Sequence, residues 1–315
     1  THGAPRHASR RWYGFRAPVF NLTNWRDNVN KIGIYYAYWT HDWDADFHPF
    51  VDKVADIGFD LLEVNGGTIG KMTSEQRRSL KAHAADRNIA LSYCVGLPKE
   101  YDLASEEKSV RDKGIAFLQQ IAEGIGEMGG GNLGGIIYSY WPATLPAGVS
   151  DKRPYWDRSV ASMKVAVKAA EANNVTFSME VVNRFEQYLL NTCEEAVAYV
   201  KEVGSPNATV MLDTFHINIE EDFFAEAIRA AGEHLGHFHI GENNRMPPGY
   251  GHIPWTEVGA ALREIGYKGH VVMEPFLMPG GEVGRDIKVF RDLSVGLDLD
   301  VEAAKALQFT RGFMK

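Results

Sequence analysis

The chain has little that would tie it to an oxidising compartment, a membrane or a polyanion. Its 315 residues include only two cysteines, Cys94 and Cys193. Their spacing makes neither a disulfide framework nor a thiolate zinc site, and a reduced, buried thiol is the default for both. No apolar run approaches the roughly 18 residues that a membrane-crossing helix requires. The basic N-terminal stretch is not followed by the apolar segment of a secretory signal. Basic runs are missing beyond the first residues and the formal net charge is −8, so the surface should repel a phosphate backbone. The expectation is a reduced, cytoplasmic protein with no membrane and no nucleic-acid partner. The apolar fraction of 45% and aromatic fraction of 11% are ordinary for a chain with a large core.

Residues 1–29 differ from the rest. They carry Arg6, Arg10, Arg11, Arg16 and Arg26 against Asp27 alone and show no sustained apolar period. They read as an N-terminal extension or leader, in part tag-derived. Residues 30–315 repeat one rhythm. Apolar strand patterns at 32–38, 61–64, 89–95, 133–138, 176–181, 209–213, 235–240 and 270–274 are each followed by a helical pattern. Thr73 with Gln76 and Thr192 with Glu195 make capping boxes. Gly58 and Gly204 stand where helices should stop. The segment after Arg285 is expected to be mostly helical.

Eight such units predict a single-domain (β/α)8 barrel, because eight parallel strands close around a side-chain-filled interior. The competitor is an open doubly wound sheet. It would want a Gly-x-Gly-x-x-Gly turn after the first strand and polar groups at one switch point, and neither is present.

Four successive strands end in a metal-ligand residue type. Asp213 lies 33 residues after Glu180, His239 follows 26 later, and Glu274 a further 35. In a closed barrel these positions meet at the C-terminal mouth, where barrel active sites lie. Three carboxylates there would repel one another without a cation between them. Three oxygen ligands and one imidazole suit Mn2+, Mg2+ or Co2+ better than a tetrahedral structural zinc. The competing reading of Asp213 is a plain helix N-cap. Glu186, His216 and Arg245 follow the same strand ends, where loop salt bridges or caps are the bland alternative. Tyr35, Trp39, Trp43, Trp141 and Phe276 gather past strand ends and suit walls for a small hydroxylated ligand. His237 is either a second ligand or an interior support, and Glu63 a weaker supporting candidate. A metal held by two glutamates could chelate a sugar carbonyl and the adjacent hydroxyl, stabilising an enediolate. Carboxylates on opposite faces could then remove and return a proton, inverting that carbon.

These motifs resemble a known family. Gly33-Ile34-Tyr35-Tyr36-Ala37-Tyr38-Trp39, Tyr138-Ser139-Tyr140-Trp141-Pro142, Glu180-Val181-Val182-Asn183-Arg184-Phe185-Glu186, Met211-Leu212-Asp213-Thr214-Phe215-His216, Gly236-His237-Phe238-His239 and Met273-Glu274-Pro275-Phe276 are similar to the ketose 3-epimerases. The likeness runs from about residue 30 to about residue 310. It implies a (β/α)8 barrel that uses Mn2+ or Co2+ and interconverts ketohexoses at C3 through a cis-enediolate. It further implies Glu180, Asp213, His239 and Glu274 as metal ligands, with Glu180 and Glu274 as the acid/base pair. Glu186, His216 and Arg245 would hold sugar oxygens, and Tyr35, Trp43, Trp141 and Phe276 would form the walls. A homodimer or homotetramer is implied too. The stretch Val64-Asn65-Gly66-Gly67-Thr68-Ile69 departs from the family's usual small-residue and His-containing versions, which bears on the far end of the sugar.

Other classes remain open at this level. An aldose–ketose isomerase would give an aldose from D-fructose instead of D-psicose. A zinc phosphodiesterase would need more histidine ligands and a basic face. A sugar-binding protein would not need two apposed glutamates on a metal.

Overall fold

Short runs of β-branched and apolar residues set the sheet, since strands covered on both faces carry no polar alternation. They form β1 (Ile32–Tyr35), β2 (Leu61–Asn65), β3 (Ala90–Cys94), β4 (Gly131–Gly135), β5 (Val175–Glu180), β6 (Ala208–Asp213), β7 (Leu235–Ile240) and β8 (Val271–Met273). In the computed structural model, which describes residues 30–315, each strand pairs in parallel with the next. β8 returns to β1 through Ile32↔Val271 and Ile34↔Met273, so the sheet closes into an eight-stranded barrel, as expected. The leader expected over residues 1–29 lies outside the described residues.

The outer layer comprises α1 (His48–Ile57), α2 (Gly66–Lys71), α3 (Ser74–Asp86), α4 (Lys108–Glu127), α5 (Arg153–Ala172), α6 (Cys193–Val203), α7 (Thr214–Glu220), α8 (Phe224–Ala231), α9 (Trp255–Glu264), α10 (Gly281–Asp286) and α11 (Leu299–Phe313). Both capping boxes form: Thr73 caps α3 with Gln76, and Thr192 caps α6 with Glu195. α4 buries Phe117, Leu118, Ile121 and Ile125, and α5 buries Val160, Met163, Val167 and Ala170, each a stripe of helical period against the strands. Inside the barrel the lower layer is polar and mostly paired: Ser178 Oγ donates to Asn132 Oδ1 at 2.5 Å and lies 2.8 Å from Thr209 Oγ1, while Asn132 Nδ2 is left buried without a partner. No helix among the described residues is long and apolar enough to cross a membrane.

Three expectations need correction. The first strand stops at Tyr35, and Tyr36–Tyr38 turn in a 3-10 helix whose rings pack inward, Tyr36 against Phe47 at 5.0 Å between centroids. The fourth strand begins two residues early and ends at Gly135. Gly135 has φ of +108°, and a Cβ there would sit 2.3 Å from the Val95 carbonyl oxygen. Only glycine makes that exit, so Ile136–Tyr138 leave the sheet and owe their apolar character to burial beneath the helices. Beyond Asp286 the chain is irregular as far as Asp298, which then caps α11. That strap runs past the mouth, pinned by Leu293 N–H on the Leu277 carbonyl (2.9 Å).

Candidate active site and metal centre

The ends of four neighbouring strands supply the centre. β5 finishes on Glu180, β6 on Asp213, β7 holds His239 one residue before its end, and Glu274 directly follows β8. One ligand atom from each lies within 4.8 Å of the other three, and all four residues are buried. Such crowding of carboxylates carries an electrostatic cost. Burial, and next the Glu274 charge, push the Glu180 carboxyl well above the usual carboxylate range. Asp213 moves the other way: burial opposes its charge, but Arg245, His216 and His239 together hold it below its ordinary value.

Arg245 is the counter-charge. Its Nη1 donates to Asp213 Oδ2 at 2.8 Å and to Glu274 Oε2 at 3.0 Å. The guanidinium lies over the Phe215 ring, 3.9 Å from its centroid. The other oxygen of Asp213 accepts the Phe215 backbone N–H at 2.9 Å and so caps α7, a helix the periodicity did not suggest. Both sequence readings of Asp213 therefore describe it: one oxygen caps a helix and the other faces the cluster.

His239 carries the test of whether a cation belongs here. Its Nε2 lies 2.5 Å from Glu63 Oε1, which leaves Nδ1 turned toward the carboxylates. Nδ1 is buried, has no hydrogen-bond partner and stands 3.6 Å from Glu274 Oε1. A partnerless ring nitrogen facing carboxylate oxygens, with the opposite nitrogen on a second-layer carboxylate, is the geometry of a metal-ligating histidine. Three carboxylates and an imidazole fit a hard or borderline divalent ion. Against the effect of burial, Glu63 and then Glu274 raise the His239 pKa well above its ordinary value.

Glu63 is far more engaged than its weak sequence signal suggested. It also accepts from Ser92 Oγ at 2.8 Å and lies 2.7 Å from His237 Nε2. Burial opposes its charge, yet His239 and His237 hold the carboxyl far below the usual range. His237 therefore supports Glu63 and lies outside the four-residue cluster. The available signal was a lone acid inside the apolar run Leu61-Leu62-Glu63-Val64. Cys94, at the end of β3, was read only as a buried thiol, yet it falls within 4.8 Å of both His239 and Glu274.

The expected sugar-facing residues surround this centre. His216 Nδ1 receives both the Asn183 backbone N–H (3.3 Å) and Asn183 Nδ2 (2.8 Å). Arg245 Nη2 stands 3.3 Å from the other ring nitrogen, Nε2, so donors face both sides of the ring and disfavour the imidazolium. That Nε2 stands 3.7 Å from Asp213 Oδ2 and 4.0 Å from Glu180 Oε1. Burial, which disfavours the imidazolium, lowers the His216 pKa. Glu186 accepts from Asn183 Nδ2 and from Trp141 Nε1, both at 3.0 Å. Asn183, which sequence reasoning left without a role, thus holds two candidate contacts at once.

Tyr35, Trp43 and Phe276 pack edge-on or tilted with centroids 6.4 Å apart in each pair. Trp43 is fixed by its Nε1 on Asp286 Oδ2 at 2.9 Å. Trp39 does not join them, contrary to expectation: its indole donates to Asp300 Oδ1 on α11 at 2.8 Å and stacks on Phe50. A cavity of about 400 Å3 opens beside the centre between Phe215, Arg245, Phe276 and the strap residues Ile287–Phe290, Arg291 and Leu293. It reaches Arg245 without extending over the carboxylates.

A closed parallel barrel with acids and an imidazole at its C-terminal mouth defines a class, and the sequence profile of the xylose isomerase-like TIM barrels matches residues 51–293. The chain is 47% identical over 284 residues to D-psicose 3-epimerase of Ruminiclostridium cellulolyticum, covering 89% of this chain and 97% of the relative. With D-psicose 3-epimerase of Agrobacterium fabrum it shares 45% identity over 284 residues, 89% and 98% of the two chains. The crystal structure of D-psicose 3-epimerase with D-tagatose from Clostridium cellulolyticum H10 superposes with a TM-score of 0.88 at 46% identity, covering 90% of this chain and 99% of that one. Within the barrel class, the chain belongs to the ketose 3-epimerase family. It is an isomerase.

Proposed function

We propose that this protein is a metal-dependent ketose 3-epimerase, inverting C3 of free ketohexoses such as D-fructose/D-psicose or D-tagatose/D-sorbose. The convergence of Glu180, Asp213, His239 and Glu274 carries the reading. These four would hold Mn2+, or alternatively Co2+ or Mg2+. Once bound, the ion would polarise the substrate carbonyl and offset the charge of the enediolate.

The rest of the chemistry belongs to the protein. One of Glu180 and Glu274 takes the C3 proton from one face of the sugar, and the other returns a proton to the opposite face. Arg245, through the one nitrogen Nη1, holds both Glu274 and Asp213 in place. His216, tethered through Nδ1, turns Nε2 beside Arg245 toward the sugar oxygens, and Glu186 offers an acceptor. Tyr35, Trp43, Trp141 and Phe276 form apolar walls that exclude water from the enediolate. The active form is a homodimer or homotetramer in the cytoplasm, and residues 1–29 are an appendage to the 30–315 catalytic barrel.

The test is a Mn2+-supplemented activity panel over D-fructose, D-psicose, D-tagatose, D-sorbose and L-ribulose, run in D2O. The expected result is the C3 epimer, with deuterium at C3 and activity lost to a chelator and restored by Mn2+. Glu180→Gln and Glu274→Gln should each cost about 10²–10⁴-fold or more in kcat. An aldose product, or near-normal turnover by either variant, would overturn the two-base scheme.

A further inference from the structure

Cys94 stands where the proposed chemistry has no use for it. It ends β3, is 6% exposed, and its thiol belongs with His239 and Glu274 to a second group whose ligand atoms all lie within 4.8 Å of one another. His239 is common to this group and to the four-residue cluster, and its Nδ1 is the ring nitrogen left buried without a hydrogen-bond partner. The two groups differ in chemical character. Glu180, Asp213, His239 and Glu274 offer oxygen and a single nitrogen, whereas Cys94, His239 and Glu274 offer sulfur, nitrogen and oxygen, a set suited to soft ions.

We propose that Cys94, His239 and Glu274 form an inhibitory site for thiophilic divalent ions of the Zn2+ and Cd2+ class, mutually exclusive with the catalytic ion. Exclusion follows from His239: Nδ1 has one lone pair, because Nε2 is committed to Glu63. Only one ion can hold it. In the thiophilic mode the Cys94 S–H bond and the His239 Nδ1–H bond of the metal-free protein break, both protons leave to solvent, and the freed sulfur and nitrogen lone pairs form the bonds to the ion; nothing is oxidised or reduced. Thiolate affinity pulls the ion toward β3 and away from Glu180 and Asp213, which removes one of the two proposed acid/base groups from its partner ion. The inference rests on the ligand set of the proposed function, and Asp213 separates the two, being a member of the four-residue cluster alone.

The experiment is titration of chelator-stripped protein with Cd2+, read by the ultraviolet sulfur-to-cadmium charge-transfer band. Wild type and Cys193→Ser should show the band at one equivalent, while Cys94→Ser and Cys94→Ala should not. Excess Mn2+ should bleach the band in wild type. In Mn2+-loaded enzyme, the Cd2+ concentration that halves turnover should rise at least tenfold in the Cys94 variants, each compared with its own uninhibited rate. Asp213→Asn should keep the band and lose Mn2+ binding by calorimetry. A band that survives in both Cys94 variants, or that is absent from wild type, overturns the thiophilic site. Simultaneous binding of Mn2+ and Cd2+ to one wild-type chain overturns the exclusion. Full Mn2+ binding by Asp213→Asn counts against the proposed ligand set and leaves the Cys94 site standing.

Discussion

Glu63→Gln isolates the contribution of a residue that touches neither sugar nor ion in the proposed scheme. The substitution keeps shape and volume but removes the charge that lies 2.5 Å from His239 Nε2 and 2.7 Å from His237 Nε2. A neutral carboxamide can still accept one hydrogen bond, but not a charge-assisted one, and its NH2 group must face a histidine or Ser92. Loss of such a carboxylate behind a ligating imidazole typically lowers metal affinity about 10–100-fold, which is about 1.4–2.8 kcal/mol at 1.4 kcal/mol per tenfold. Mn2+ titration calorimetry of the stripped protein should show that loss, while kcat at saturating Mn2+ stays within a few-fold of wild type. Glu63→Ala should be worse, because it also leaves two buried histidines uncompensated, at a cost of about 3–5 kcal/mol. A Glu63→Gln protein that binds Mn2+ within twofold of wild type would refute the claim that this carboxylate aims His239.

Other perturbations probe separate parts of the structure. Arg245→Met should raise KM and destabilise the protein by about 3–5 kcal/mol in urea unfolding, since it removes the buried cation that pairs with both Asp213 and Glu274; unchanged stability would contradict the pairing. Burial, helped by nearby His237, pushes the His270 pKa down to about 4. The folded state therefore favours neutral His270, and its contribution is complete above about pH 6.5 and fades as pH falls toward 4. Between pH 7 and pH 5, wild type should lose about 2 kcal/mol more in urea unfolding than His270→Phe; parallel losses would show that this imidazole is not protonated on unfolding. Thr192→Ala removes the α6 capping box and should cost about 1 kcal/mol, seen as a fall in Tm of about 2–4 °C.

The barrel was legible because each βα unit repeats the same local signals. Capping boxes at Thr73 and Thr192 and the left-handed stops at Gly58 and Gly204 appear where the residues indicated. So does the gathering of Glu180, Asp213, His239 and Glu274, which needs only barrel closure and strand-end placement. What was not legible depends on packing across the barrel. Trp39 and Trp43 stand four residues apart on one loop, yet one faces α11 and the other the mouth, a choice made by Asp300 and Asp286 far along the chain. The weight of Glu63 comes from two histidines of β7 on the other side of the interior. The strap of residues 287–298 carries enough apolar residues to suggest helix, but its backbone is held by contacts such as Leu293 to Leu277.

The junction of β6 and α7 has no slack. A single aspartate terminates the strand, starts the helix and points into the centre, and His216 rides on the first turn of that same helix. Inserting or deleting one residue between Asp213 and His216 would rotate the imidazole about 100° around the helix axis, out of register with Asn183 and the carboxylates. Natural variation and laboratory remodelling alike should therefore spare this joint in length as well as in composition, and spend their freedom on the rim.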